Sequence, residues 1–118
     1  MKILISERKI INRVRELARQ IESDYKGNQP ILVGVLKGAV VFLSDLIREI
    51  NIPLEIDFLS IASYHGAIKS SGKVKVIEDL SADIKKQNVL LIEDIVDTGR
   101  TLNYIIDKLK ARAPKSLD

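Results

Sequence analysis

The stretch Val89-Leu90-Leu91-Ile92-Glu93-Asp94-Ile95-Val96-Asp97-Thr98-Gly99-Arg100-Thr101-Leu102 decides how the rest of this chain reads. Four apolar residues run into two adjacent acids. A third acid follows at Asp97, and Thr98-Gly99-Arg100-Thr101 leads into a pattern with Leu102, Ile105, Ile106 and Leu109 on one helical face. A short, wholly apolar run suits a strand buried on both faces. A helix starting just after it presents free backbone N–H groups and the positive end of its dipole, which favour an anion. Thr98 and Thr101 add hydroxyl donors, and Gly99 lets the backbone come close to a ligand. Glu93 and Asp94 can accept hydrogen bonds from a vicinal diol or help hold a hydrated Mg2+. The plainer reading is that Asp and Thr ahead of a helix are N-caps, and that the acid pair is a solvated loop. Against it, three acids crowd the mouth of one strand, and a carboxylate beside a phosphate cradle repels the ligand unless it has its own task.

Outward from this stretch, Glu7 to Tyr25 carries Ile10, Val14, Leu17, Ala18 and Ile21 at helical spacing, with Ser6 as N-cap and Lys26-Gly27 as stop. Ile31 to Leu36 follows a proline and reads as a strand buried on both faces. Gly38 to Ile50 reads as a helix closed by Asn51-Ile52-Pro53, and Leu54 to Ala62 as a second strand. Ser63 to Lys73 is polar, with two glycines, and reads as a long loop. Val74 to Ile77 reads as a short strand, Val89 to Ile92 as another, and Gly99 to Arg112 as a helix ended before Pro114. Ser116-Leu117-Asp118 looks like the lead-in to a further strand. Strands alternating with helices predict an α/β fold with a mainly parallel sheet, whose ligands sit at the carboxyl ends of the strands.

The chain has 118 residues, 46% apolar and 30% charged, which fits one globular domain. The absence of cysteine excludes disulfides and thiolate catalysis, and a single histidine, His65, excludes a multi-His metal centre. His65 reads as a solvated loop residue. No run approaches the roughly 18 apolar residues of a membrane span. Met1 to Arg8 turns charged too early for a signal peptide, so a cytoplasmic location is expected. The net charge of +3 is interspersed, which suits a small anionic ligand better than a nucleic-acid surface; neither a nucleic-acid nor a membrane partner is expected. Neither Gly-x-Gly-x-x-Gly nor Gly-x-x-x-x-Gly-Lys-Ser/Thr occurs.

The run Val89 to Leu102 resembles the 5-phosphoribosyl-1-diphosphate (PRPP) binding motif of type I phosphoribosyltransferases. The surroundings resemble the hypoxanthine-guanine phosphoribosyltransferases in particular. Val33-Gly34-Val35-Leu36-Lys37-Gly38-Ala39 is similar to their pyrophosphate-contacting first loop. Leu54 to Tyr64 is similar to the strand that enters their mobile loop, and Ser70-Ser71-Gly72-Lys73-Val74 to that loop's far end. The resemblance implies a three-layer α/β phosphoribosyltransferase fold with a mainly parallel sheet. It implies that Asp97 is the acid near purine N7 and the catalytic base, and that Asp97, Thr98, Gly99, Arg100 and Thr101 cradle the ribose 5-phosphate. Glu93 and Asp94 would hold the ribose hydroxyls and a magnesium shell. Leu36, Lys37 and Gly38 would contact pyrophosphate, with a non-proline cis peptide at Leu36–Lys37 exposing the Lys37 N–H. Ser63 and Tyr64 would ride the mobile loop. Mg2+ is the implied cofactor, PRPP and a 6-oxopurine the substrates, and a homodimer or homotetramer the assembly.

The implied reaction is purine salvage, in which PRPP and hypoxanthine or guanine give IMP or GMP and pyrophosphate, through an oxocarbenium-like transition state. The family continues past Asp118 with a core strand, a purine-reading lysine and a hood. The chain is therefore expected to be one truncated core domain, 1–118, lacking the last core strand and hood, with an exposed edge at the Val89 strand. One alternative is a regulator that keeps the PRPP fold as a sensor of PRPP or nucleotides; a basic surface stripe would support it, and retained transfer chemistry would argue for the enzyme. A remote one is a receiver-type signalling domain, whose acid pair follows the first strand, whereas here the acids cluster at 93, 94 and 97.

Overall fold

The computed structural model of the chain describes residues 4–63, 74–93 and 100–118. The first helix, α1 (Glu7–Asp24), starts where Ser6 Oγ accepts the Lys9 N–H at 3.3 Å. It ends at Tyr25, whose N–H donates to Ile21 O, and Gly27 then adopts a φ of +81° that turns the chain away. Such a φ is open to glycine without steric penalty, which is why Lys26-Gly27 stops the helix. Val14, Ala18 and Ile21 recur one turn apart and are buried.

The second helix, α2 (Val40–Glu49), begins two residues after the glycine that opened its sequence pattern, because Gly38 and Ala39 form the turn into it. Leu43 and Leu46 form its buried face. One ion pair and two hydrogen bonds brace α1 against the end of α2. Arg15 meets Glu49 at 3.3 Å, Arg19 donates to the Glu49 carbonyl, and Glu22 accepts the Asn51 N–H at 2.6 Å.

The strands are β1 (Ile31–Leu36), β2 (Glu55–Ser63), β3 (Val74–Glu78), β4 (Asn88–Ile92) and β5 (Ser116–Leu117), in the sheet order β3-β2-β1-β4-β5. Only β3 runs antiparallel. Central β1 pairs with both β2 and β4, so its side chains are buried on alternate faces. Leu32 packs with α1 and α2, whereas Ile31, Val33 and Val35 pack with the third helix, α3 (Arg100–Lys110), through Ile105 and Leu109. The expected three layers follow. At Gly34 an added Cβ would lie 2.8 Å from Leu43 Cδ2 and 3.3 Å from Phe58, so glycine is what lets α2 settle on the sheet.

The expectation of a sheet without a strand beyond β4 is refined by the structure. Two residues of that strand are present as β5, and Asp118 extends the pairing, its N–H donating to Val89 O and its carbonyl accepting the Leu91 N–H. The expected open edge of β4 is therefore covered as far as Leu91, because the turn at 111–115 returns the chain alongside it. No described helix is long and apolar enough to cross a membrane.

Candidate functional site

Parallel pairing puts the carboxyl ends of β1, β2 and β4 at one end of the sheet. Gly34 lies opposite both Phe58 and Ile92, so Leu36 aligns with Ser60 and Glu93 emerges level with Val35. Those residues expected from sequence that the structure describes lie toward this end. Leu36 closes β1 and is half-buried, while Lys37 and Gly38 are exposed. The Leu36–Lys37 peptide bond is cis, the geometry that the resemblance implied at this bond. Ala39 is buried as the residue ahead of α2. Ser63 ends β2.

Glu93 follows β4 directly and is half-buried. The chain returns at Arg100 as the first residue of α3, with Thr101 half-buried in its first turn. A strand end and a helix start are thus joined by the seven positions 93–99. The expectations for Asp94, Asp97, Thr98, Gly99 and Tyr64 fall outside the described residues, as does the placement of His65. Leu36, Lys37, Gly38, Glu93 and Thr101 are brought to one end of the sheet, as expected of a shared site.

Among the described residues no group of three His, Cys, Asp or Glu side chains converges as a metal cage. The adjacent carboxylates of Glu93 and Asp94 nevertheless have the hard oxygen chemistry that Mg2+ takes. That ion commonly uses one or two protein carboxylates and fills its other positions with substrate phosphates and water. Glu93, half-buried just past β4, is the one described residue of that pair and carries oxygen donors of the kind Mg2+ takes.

Two features were not read from the sequence. A groove of about 870 Å³ opens beside β4, floored by Leu17, Ile21, Phe42 and Leu90 and walled by Glu93 and Asp118. Across its lower wall the Tyr25 hydroxyl donates to Asp118 Oδ2 at 2.6 Å. Burial, and then that hydrogen bond, push the Tyr25 phenol well above its ordinary pKa. Partners 93 positions apart carry no local signal. The second feature is Asp57, the one buried charged residue among those described. Its carboxylate accepts the N–H groups of Phe58 at 2.8 Å, Ser81 at 3.2 Å and Ala82 at 2.7 Å. An acid inside the apolar run 54–62 was its available signal.

A mainly parallel sheet with a lysine–glycine turn, Glu93 and a helix start at its carboxyl end defines an α/β protein of the kind whose ligands sit at that end. The chain belongs to the phosphoribosyl transferase domain family, whose model matches residues 2–118. It is 47% identical over 116 residues to a hypoxanthine-guanine phosphoribosyltransferase of Streptococcus mutans, covering 98% of this chain and 64% of that relative. It is equally similar to the bifunctional protein TilS/HprT of Listeria monocytogenes serotype 4b, covering 98% of this chain and 18% of that protein. A crystal structure of a hypoxanthine-guanine phosphoribosyltransferase from Bacillus anthracis, with a HEPES molecule in the active site, superposes with a TM-score of 0.92 at 42% identity, over 100% of this chain and 70% of that one. A hypoxanthine phosphoribosyltransferase from Staphylococcus aureus also gives a TM-score of 0.92, at 44% identity, over 99% of this chain and 64% of that one. The chain thus spans less than two thirds of the length of the streptococcal relative.

Proposed function

We propose that the protein transfers a phosphoribosyl group from PRPP to hypoxanthine or guanine, giving IMP or GMP and pyrophosphate. The observation that carries this reading is the superposition on the Bacillus anthracis enzyme along the entire chain. The grouping of Lys37, Glu93 and Thr101 at one sheet end supports it. In this reading the start of α3, with Thr98, Gly99, Arg100 and Thr101, binds the ribose 5-phosphate through backbone N–H groups and hydroxyls. Leu36, Lys37 and Gly38 bind the pyrophosphate, and Glu93 and Asp94 hold the ribose hydroxyls together with Mg2+. Neutralising the charge of the departing pyrophosphate is the chemistry that bound Mg2+ supplies.

The bond from the anomeric carbon to the pyrophosphate oxygen breaks, and its electron pair leaves with pyrophosphate. A purine nitrogen forms the new bond. Carboxylates at the strand end favour the positive charge that builds on the ribose, and Asp97 accepts the purine's proton. Ser63 and Tyr64 belong to a segment that excludes water during the reaction. The same reading places the protein in the cytoplasm, as a homodimer or homotetramer.

The test is nucleotide formation. A form carrying this domain together with the segment that follows it in the longer relatives is incubated with PRPP, MgCl2 and hypoxanthine, guanine or xanthine, and the products are separated by chromatography. Formation of IMP and GMP with one pyrophosphate each is expected, and Asp97→Asn should slow transfer while retaining PRPP. Binding of PRPP without nucleotide formation from any base would overturn the reading in favour of a PRPP sensor.

A further inference from the structure

We infer that Gly34 is a positioning residue for the turn at Leu36, Lys37 and Gly38, acting through Leu43; this rests on the reading of that turn as the pyrophosphate site. Gly34 lies in the middle of the sheet, paired with Phe58 of β2 on one side and Ile92 of β4 on the other. Its missing Cβ leaves a notch on the face that α1 and α2 cover. Leu43 Cδ2 fills the notch, 2.8 Å from where a Cβ would stand, and the Phe58 ring closes it at 3.3 Å. Leu43 is therefore where α2 rests directly on the backbone of β1. Pairing on both sides holds that backbone, so the notch is a fixed seat and the helix is the part that can move.

Lys37, Gly38 and Ala39 have no strand partner among the described residues. Backbone bonds tie them between β1 and α2. The Ala39 N–H donates to Val35 O at 3.2 Å, the Val40 N–H to Lys37 O at 3.2 Å and the Leu43 N–H to Ala39 O at 2.8 Å. The last of these runs from Leu43 itself to the residue that ends the turn, so a shift of Leu43 passes within one helical turn to Ala39, and from there to Gly38 and Lys37. A methyl at position 34 must be met by a movement of about 0.7 Å or more, to restore an ordinary carbon–carbon contact of about 3.5–4.0 Å. Rotation of Leu43 relieves only part of this, because the side chain is buried in one cluster with Val14, Leu46 and Ile92, and a close-packed core has little room to spare. The remainder falls on α2. By contrast, α3 packs on the opposite face of the sheet, so the ribose 5-phosphate end of the site does not rest on this contact. Gly34 touches no ligand in this account.

The test uses a form carrying this domain together with the segment that follows it in the longer relatives. Pyrophosphate with Mg2+, and separately ribose 5-phosphate, are titrated calorimetrically into Gly34→Ala, Leu43→Val and the double variant, each checked for folding by circular dichroism. Gly34→Ala crowds the notch, and Leu43→Val empties it. Each alone should weaken pyrophosphate binding several-fold and leave ribose 5-phosphate binding unchanged. Gly34→Ala should also lower kcat/KM for PRPP roughly tenfold, since misplacing orienting groups by about 1 Å costs about a hundredfold. In the double variant the new methyl takes the space that the lost carbon leaves, so pyrophosphate binding should recover, because changes at touching residues do not add. A merely structural role would weaken both ligands together. That result, or unchanged pyrophosphate binding in either folded single variant, or a double variant that binds pyrophosphate more weakly than both singles, would overturn the role of Gly34. Should Gly34→Ala fail to fold, Leu43→Val carries the same comparison of the two ligands. An unmodified protein that binds no pyrophosphate and forms no nucleotide would instead overturn the reading of the turn itself.

Discussion

Removing the buried carboxylate of Asp57 should be among the costlier single changes in this domain. The replacement Asp57→Ala leaves three N–H donors without their acceptor: Phe58 at 2.8 Å, Ala82 at 2.7 Å and Ser81 at 3.2 Å. Ser81 is exposed, and water can take over its longer bond. The other two are shorter, and hydrogen bonds to a charged acceptor are worth about 1.5–3 kcal/mol each. Together they amount to about 3–6 kcal/mol, offset by about 1 kcal/mol or more because a desolvated charge is no longer buried. The net loss is therefore about 2–4 kcal/mol. A domain of this length holds a total of about 6–18 kcal/mol, so the variant stays folded but weakened. Urea unfolding followed by circular dichroism should show the midpoint falling with the slope unchanged, and melting should drop by about 10 °C. Asp57→Asn keeps one acceptor oxygen but turns an NH2 toward a donor, and should lose about half as much. A loss for Asp57→Ala below about 1 kcal/mol would refute the reasoning, because it would mean that the 81–82 backbone does not depend on this carboxylate.

Other changes follow from the same physics. Gly34→Ala puts a methyl 2.8 Å from Leu43 Cδ2 in a packed core; it should destabilise by about 1–2 kcal/mol as Leu43 leaves its rotamer, readable as a lower urea midpoint. Ala113 has a φ of +56° in the turn before β5, so Ala113→Gly should stabilise the domain by about 0.5–1 kcal/mol by removing Cβ strain, readable as a higher urea midpoint. The hydrogen bond from Arg112 at 2.6 Å holds the Asp79 carboxyl below the usual carboxylate range. A depressed folded pKa gives stability that is present above the unfolded value near 3.9 and lost as pH falls through the folded value. Arg112→Gln should therefore cost under about 1 kcal/mol at pH 7, since the pair is solvent-exposed, and its difference from wild type should vanish as pH falls below about 4 in acid titrations of stability.

Much of the fold was legible because its signals are local. Ser6, the i, i+4, i+7 placement of Val14, Ala18 and Ile21, and the Gly27 stop are contained within α1 itself. The run Ile31–Leu36 is apolar on both faces because β1 is flanked by neighbours and covered by helices on each side, and its bounds match the sequence pattern. The candidate site was legible for a related reason: in a parallel sheet every strand-to-helix turn at the carboxyl ends faces the same direction, so motifs distant in sequence must meet. What could not be read depends on tertiary placement. The start of α2 shifts to Val40 because the turn after β1 takes up Gly38 and Ala39. Asp57 could be seen as an acid in an apolar run, but its partners at 81 and 82 are fixed only by how β3 returns to β4. The Tyr25–Asp118 bond joins residues 93 positions apart, and no periodicity encodes it.

The central claim is that the carboxyl end of this sheet holds PRPP. Calorimetric titration of PRPP into the folded 118-residue chain, with and without Mg2+, tests it most directly. The account predicts saturable, magnesium-dependent binding that weakens at least about tenfold in Thr101→Ala, the cost of losing one hydrogen bond to a charged phosphate. A folded chain that binds no PRPP, or binds it equally well in Thr101→Ala, would contradict it.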